Sequence, residues 1–529
     1  MSQRCERKGL PAQGKAGRPL ARCRSERIPS GKPGRQSSMA PTVTARFFRL
    51  LAGHTVVFGL STLVRPLSQL ILVRLHTNTH FLSVSEYASW TLLQVALNIG
   101  IVLFNLGLAT AFFRFYLAAQ SDDERERVVG RMFRITLTAA IAGGAMLAAG
   151  SAFWTYALTG KDGLFIEGIH IAIAVSSNTL TIVPLALMRA EGRWKSFLAF
   201  NTAKFFLLIG LNALFLIPLG FGLPGVTLAL AATNALLALA FVPMLRGRMK
   251  GESWTAGWKP VLLFAAPLLA NDFTFWLLNS LGQVMLRFLG SEADVALFGF
   301  ALRISFIAMV MVIMPFTIAF GPLLFRARKE NEDPRPLYAR SMGYIWTLSL
   351  AFCLALTLFA PEAALLLGKN PLYHAAVPQV GVLAFAAPFY GIFYVFSAGA
   401  NLRDKTWVFP ILLAAAAVVQ ILLMLWWIPL HGIAGAAWGT LAGYALLALL
   451  TLGTNQRLYP IRFPWYRVGL AGLTVLLLLK LHQSFDFLHG IRERIGLTAA
   501  FPVLLLLLGY LDRGEWAALR RLLGLHRGD

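Results

Sequence analysis

Fourteen apolar runs, each nearly free of charge, follow one another along this chain. They lie near 50–72, 87–110, 134–158, 168–188, 198–218, 223–245, 260–286, 295–322, 341–360, 380–400, 407–428, 433–455, 466–482 and 495–511. No other feature constrains the fold as much. A bilayer core is crossed by about 20 mostly apolar helical residues. Inside it, every backbone polar group has to be satisfied within its own helix. The expected fold class is therefore an all-α polytopic membrane protein with about 14 transmembrane helices. Only 14% of the 529 residues are charged, against a usual ~25%, which excludes the string of soluble domains expected at this length. No connection is long enough to house a soluble catalytic domain.

The basic residues orient the spans. The sequence holds 48 Lys+Arg against 24 Asp+Glu, a net charge of +24. In a soluble protein that excess points to nucleic acid. Here 39 of the 48 fall on one side of the fourteen spans and seven on the other, with Arg65 and Arg303 inside spans. Cytoplasmic loops carry the Lys/Arg excess, so both termini are expected in the cytoplasm, and no nucleic-acid partner is expected. Removing residues 1–38 leaves 29 against seven, so the orientation does not depend on that segment.

Residues 1–46 differ from the rest. Ten Lys/Arg crowd 1–38, with Gly, Pro and Ser and almost no apolar side chains, a composition too poor in burial to order itself. Two readings stand: an upstream extension with the alternative start at Met39, or a basic tail resting on anionic lipid. Cys5, Cys23 and Cys353 fit neither a disulfide framework nor a metal site. Cys353 sits in an apolar run, facing lipid or packed in the core. The segment 513–526 reads as an amphipathic helix lying on the inner leaflet.

The chain also repeats itself. Ile217-Pro-Leu-Gly-Phe-Gly-Leu-Pro-Gly225 is echoed by Ile428-Pro-Leu-His-Gly-Ile-Ala-Gly435, and Ala235-Leu-Leu-Ala-Leu by Ala445-Leu-Leu-Ala-Leu. Trp194 faces Trp407, Arg114 faces Arg326 and Arg74 faces Arg287, all at offsets of 212 or 213 residues. That spacing is six spans, an even number, so the copies share one orientation. The expected organisation is two parallel six-helix repeats forming two lobes, 47–250 and 251–460, then two extra helices over 461–511 and a tail over 512–529. Repeats of this kind are a common build for secondary transporters, with the substrate site between them.

Particular stretches resemble a known family. They are Leu75–Trp90, Leu106-Gly-Leu-Ala-Thr-Ala-Phe-Phe-Arg-Phe115, Pro267-Leu-Leu-Ala-Asn271, Phe288–Gly299 and Tyr373-His-Ala-Ala-Val-Pro378. Together they are similar to the Wzx-type polysaccharide flippases of the MOP superfamily, over roughly 47–460. The resemblance implies two six-helix lobes around a cavity in the bacterial inner membrane. It implies flipping of a polyprenyl-pyrophosphate-linked oligosaccharide from cytoplasm to periplasm by alternating access. It also implies partnership with the polymerase and glycosyltransferases of the same pathway. One departure stands out: many members carry an Asp-Arg pair late in span 7, where this chain has Leu281-Gly-Gln283, its acid lying earlier at Asp272.

Charges at membrane depth are expensive and usually face a cavity or a partner. Arg65, Arg303 and Lys204 are candidate ligands for an anionic substrate, because guanidinium and ammonium groups pair with phosphate; the alternative for each is snorkelling to an interface. Asp272, beside Asn271, is a candidate for an ion pair or for uptake of a proton or sodium ion. Asn178 is a candidate for sugar hydroxyls, whereas intramembrane amides also hold helices together. No phosphate-cradling Gly-Lys loop and no His pair at metal spacing occur, so neither a cofactor nor an enzymatic activity is expected. Two other functions remain: a cation-coupled multidrug exporter, which would rely on membrane acids, and a glycan polymerase or ligase, which would need a larger outer loop than 361–379.

Overall fold

The computed structural model describes residues 68–245, 255, 257–317, 320, 335–403, 405, 407–512 and 515–516. Arg65, the N-terminal segment 1–46 with Met39, and most of the C-terminal tail lie outside the described residues. The described chain opens helical over 68–76, the end of the first expected span. Eleven helices that are long and apolar enough to cross a membrane follow. They are α1 (Val84–Ala118), α2 (Asp122–Ala149), α3 (Phe165–Ala190), α4 (Trp194–Leu216), α5 (Gly222–Met244), α6 (Trp258–Leu289), α7 (Glu292–Thr317), α8 (Arg335–Leu358), α9 (Pro371–Ser397), α10 (Val408–His431) and α11 (Ile433–Leu458). Then come α12 (Trp465–Ser484) and α13 (Ile491–Leu507), at the thirteenth and fourteenth expected spans.

Boundaries moved where polar residues begin a helix. α2 starts at Asp122 rather than near 134. Ser121 caps it by accepting from the Glu124 amide, and three acids fill the first turn, where a helix dipole favours negative charge. α13 begins and ends four residues earlier than expected. Arg494 in its first turns pairs with Glu362, and Gly509 turns the chain away at φ 75°.

The packing repeats as the sequence does. α3 packs against α1, α2 and α5, and six helices later α9 packs against α7, α8 and α11. α4 pairs with α5 as α10 pairs with α11. A further echo is local. α1 and α7 both open with a capping box, Ser83 with Glu86 and Ser291 with Asp294, in which side chain and backbone exchange hydrogen bonds. The two halves meet mainly where α1 packs on α6 and α7.

One bend lies at this seam, and a second lies within the second half. α1 breaks at Leu106 (φ 49°) and Gly107 (φ 64°), the only described non-glycine with positive φ followed by a glycine. A Cβ on Gly107 would come within 2.9 Å of the Leu268 Cβ, next to Pro267 inside α6. A π-helical turn interrupts α7 over Met309–Ile313.

The extra helices dock on α8. Arg467 on α12 is 5% exposed; its guanidinium donates to Glu515 at 2.8 Å and to Asp512 at 3.5 Å, and Glu515 also takes the Tyr344 hydroxyl of α8. The described part of the tail is thus folded onto the protein. Breaking a buried pair leaves an uncompensated charge and costs about 3–5 kcal/mol. Arg467→Met is therefore expected to lower the melting temperature in detergent. Arg467→Met with Glu515→Leu is expected to recover most of that loss, as measured by thermal melting of the two variants side by side. Cys353 is core rather than lipid-facing: it is fully buried and its thiol donates to the Ala384 carbonyl.

Candidate functional site

A cavity of about 280 Å³ lies inside the first half, walled by 68–76, α1, α3, α4 and α5. Its lining is unusual for a membrane interior. Seven amides face it: Gln69, Gln94, Asn105, Asn178, Asn201, Asn212 and Asn234. Two cations, Arg189 and Lys204, and His76 join them, with Trp90, Phe200 and Phe205 supplying aromatic faces; among the described residues no carboxylate lines it.

The helices hold several of these amides in a fixed sense. Asn201, Asn212 and Asn234 each donate an amide hydrogen to the carbonyl four residues back, on Phe197, Leu208 and Leu230. That anchors the nitrogen in the helix and leaves the oxygen for a partner. The Asn234 oxygen accepts from the Lys204 ammonium at 2.8 Å. The Asn212 oxygen lies 3.0 Å from His76 Nε2. Lys204 and Asn212 are eight residues apart on α4, about 12 Å along a helix, so the cavity spans more than one sugar ring. Asn178 lines the cavity with its side chain free of hydrogen bonds among the described residues. Arg189 rests over Phe113 and Phe197 and donates to the Leu185 carbonyl.

The structure brings together some of the expected residues and separates others. Lys204 and Asn178 share this cavity. Arg303, on α7 of the second half, reaches it indirectly by donating to the cavity residue Gln94. Asn271 and Asp272 lie elsewhere, on α6; Asn271 is half-buried, and Asp272 is exposed with no ion-pair partner among the described residues. Arg65 lies outside the described residues. Arg189 and His76 fall just past the expected spans 168–188 and 50–72, so neither is a candidate by depth in the sequence. The helix of the first span runs on to 76, and His76 is 2% exposed.

At the charge-poor end of the bundle the halves are tied across their seam. Thr77 donates to the Leu367 carbonyl at 2.9 Å and accepts from the Lys369 amide at 3.2 Å. Lys161, in the α2–α3 connection, pairs with Glu292 of α7 at 3.0 Å. At the charge-rich end Arg114 stacks 4.2 Å above the Phe264 ring.

The described helices form two similarly packed sets with a polar cavity inside the first, an all-helical arrangement, eleven of whose helices are long and apolar enough to cross a membrane. The family model for polysaccharide biosynthesis proteins matches residues 79–378, and the chain belongs to that family. No curated protein matches the chain. Among solved structures it is similar to the lipid II flippase MurJ in an inward closed conformation, with TM-score 0.67, 13% identity, and coverage of 85% of this chain and 98% of that one. It is also similar to an inward-facing multidrug resistance MATE family transporter of the MOP superfamily, with TM-score 0.61, 17% identity, and coverage of 75% and 94%. A Vibrio cholerae MATE transporter gives TM-score 0.59 at 17% identity, with coverage of 79% and 97%.

Proposed function

We propose that this protein flips a polyprenyl-diphosphate-linked oligosaccharide from the cytoplasmic to the opposite leaflet for surface polysaccharide synthesis. The observation that carries the reading is the cavity of the first half, which offers amides for sugar hydroxyls and Arg189 and Lys204 for a diphosphate, in a chain of a polysaccharide biosynthesis family. Amide hydrogen bonds to hydroxyls set orientation, and cations supply most of the attraction for phosphate. The lipid tail stays in the bilayer. The charge-rich end is cytoplasmic by the Lys/Arg bias, and the halves 47–250 and 251–460 rock to expose the cavity alternately. Asp272, with Asn271, is the group that takes up a coupling cation, and Arg65 joins the cations that hold the diphosphate.

A cation-coupled multidrug exporter fits less well, because the described lining holds cations and amides and, among the described residues, no carboxylate, and such a cavity repels cationic drugs. The test is deletion of the chain in its host, with lipid-linked oligosaccharide and surface polysaccharide quantified side by side. Accumulation of the lipid-linked units with loss of polymer is expected. Normal polymer without accumulation, together with raised drug sensitivity, would replace this reading with the exporter. Complementation with Asp272→Asn addresses coupling in the same assay: wild-type polymer levels would remove Asp272 from that role.

A further inference from the structure

Two neighbouring residues of the cavity wall each bury a polar atom that has no hydrogen-bond partner among the described residues. The atoms are His76 Nδ1 and Trp90 Nε1. Their residues are 2% and 4% exposed, and the two rings meet edge-on with centres 5.8 Å apart. Buried polar groups are overwhelmingly paired, so two orphans together on a cavity wall point to a ligand. This is the charge-poor end of the cavity. His76 precedes Thr77, which ties the halves at that end, and its partner Asn212 lies about 12 Å along α4 from Lys204. Arg189 stands at the opposite end, in the last turn of α3.

The hydrogen bonds already made decide which atoms are left as donors and which as acceptors. Asn212 gives its amide hydrogen to the Leu208 carbonyl, so its oxygen is what meets His76 Nε2, at 3.0 Å. Nε2 therefore carries the hydrogen, and Nδ1 of the neutral ring is an acceptor. Trp90 Nε1 only donates. Gln94, also on the cavity wall, stands one turn along α1 from Trp90 and on the same face. Arg303, a donor only, holds the Gln94 oxygen, which leaves the amide nitrogen as a second donor. Two donors and one acceptor thus line this end. Carboxylate and phosphate oxygens only accept, and they leave Nδ1 facing another lone pair. An ammonium only donates, and it leaves the indole and the amide unpaired. A hydroxyl does both, so neighbouring hydroxyls of one sugar ring answer the whole set.

We propose that this end of the cavity, between His76 and the Trp90–Gln94 face of α1, is a subsite for an uncharged sugar of the oligosaccharide, read through its hydroxyls. The proposal rests on reading the cavity as the substrate's, and it gives the substrate a direction. The sugar lies toward the charge-poor end and the diphosphate toward Lys204 and Arg189. His76 and Trp90 then set specificity. A site built to hydrogen-bond a hydroxyl rejects an analogue that cannot pair with it, because its own buried groups are stranded. An acidic sugar strands His76 Nδ1 in this way when its carboxylate enters the subsite.

The experiment uses the full chain in nanodiscs of zwitterionic lipid. Calorimetry measures binding of undecaprenyl diphosphate and of its glucosyl, galactosyl, mannosyl and galacturonosyl derivatives. At least one neutral derivative is expected to bind about tenfold tighter than the bare diphosphate, and the galacturonosyl lipid to show no such gain. Trp90→Phe keeps an aromatic ring and removes the donor. His76→Gln keeps a donor toward Asn212 and removes the acceptor. Each is expected to erase most of the gain from the sugar and to leave bare undecaprenyl diphosphate bound as in wild type. A gain that survives in both variants at an unchanged melting temperature overturns the subsite. If the variants do not fold, the wild-type protein decides alone: no neutral derivative tighter than the bare lipid, or a galacturonosyl gain equal to the galactosyl one, overturns it. The two readings fail separately: the subsite falls on the gain from the sugar, the flippase on polymer in the deletion strain.

Discussion

Lys204→Ala is expected to abolish most surface polysaccharide in a complemented deletion strain and to leave lipid-linked oligosaccharide accumulated, at an unchanged protein level. Its ammonium is held toward the cavity by the Asn234 oxygen at 2.8 Å, and that oxygen is itself aimed by the amide bond to Leu230. A hydrogen bond between a charged donor and an anionic ligand is worth about 1.5–3 kcal/mol, which is roughly a 10- to 150-fold change in affinity. Lys204→Arg retains the charge and is expected to keep much of the activity. Asn178→Ala removes a neutral hydrogen bond, nearer 1 kcal/mol, and is expected to cause a smaller, substrate-dependent loss. Polymer at wild-type level in Lys204→Ala, with no lipid-linked accumulation, would remove this cation from the transport path.

The contrast between Lys204 and Arg303 illustrates what the sequence can carry. Depth along an apolar run is legible, because 1.5 Å per residue converts position into height, and both residues were picked out that way. Direction is not. Membrane helices of this chain are apolar nearly all round, so there is no polar stripe to say which face meets a neighbour. Lys204 faces the interior of its own half and Arg303 faces across the seam, and only packing distinguishes them. The amides show the same limit. An amide inside a span can hold helices together or face a ligand, and Asn212 and Asn234 do both, since each lines the cavity while bonding a partner. His76 lies past the expected end of the first span at 72, where Arg74 and a polar run resemble a loop, yet the helix continues to 76 and Asn212 of α4 supplies the partner that makes burial tolerable.

Span positions and the repeat were legible for a physical reason. Apolar length is imposed by the bilayer, and the Lys/Arg bias is imposed by orientation, so both leave marks independent of packing detail. Starts such as α2 were blurred because capping extends a helix beyond the membrane, where hydropathy no longer reports it.

The repeat landmark at the second Ile-Pro-Leu carries the largest structural prediction. Gly435 stands one turn into α11, where the chain has just reversed from α10. A Cβ there would lie 2.3 Å from the Trp427 carbonyl oxygen, 2.5 Å from its carbon and 2.8 Å from the Ile428 nitrogen. These are backbone atoms of the preceding helix, so no rotamer change relieves the contact; the two helices have to part. Overpacking a rigid interior costs about 1–3 kcal/mol even when side chains can shift, and Gly435→Ala is expected at or above the top of that range. Gly435→Val is expected to yield little folded protein by size-exclusion chromatography in detergent. The equivalent Gly225 meets side-chain atoms first, the Phe221 Cβ at 2.9 Å and the Phe215 Cβ at 3.2 Å, so Gly225→Ala is expected to be milder. Gly453, further along α11, has nothing within 4 Å of its would-be Cβ. There, Gly453→Ala is expected to be neutral or stabilising by up to about 1 kcal/mol, through the gain in helix propensity alone. The order Gly435, Gly225, Gly453 in melting temperature separates close helix approach from glycine's general cost in a helix. If all three variants melted alike, the tight α10–α11 reversal would not be what the second glycine serves.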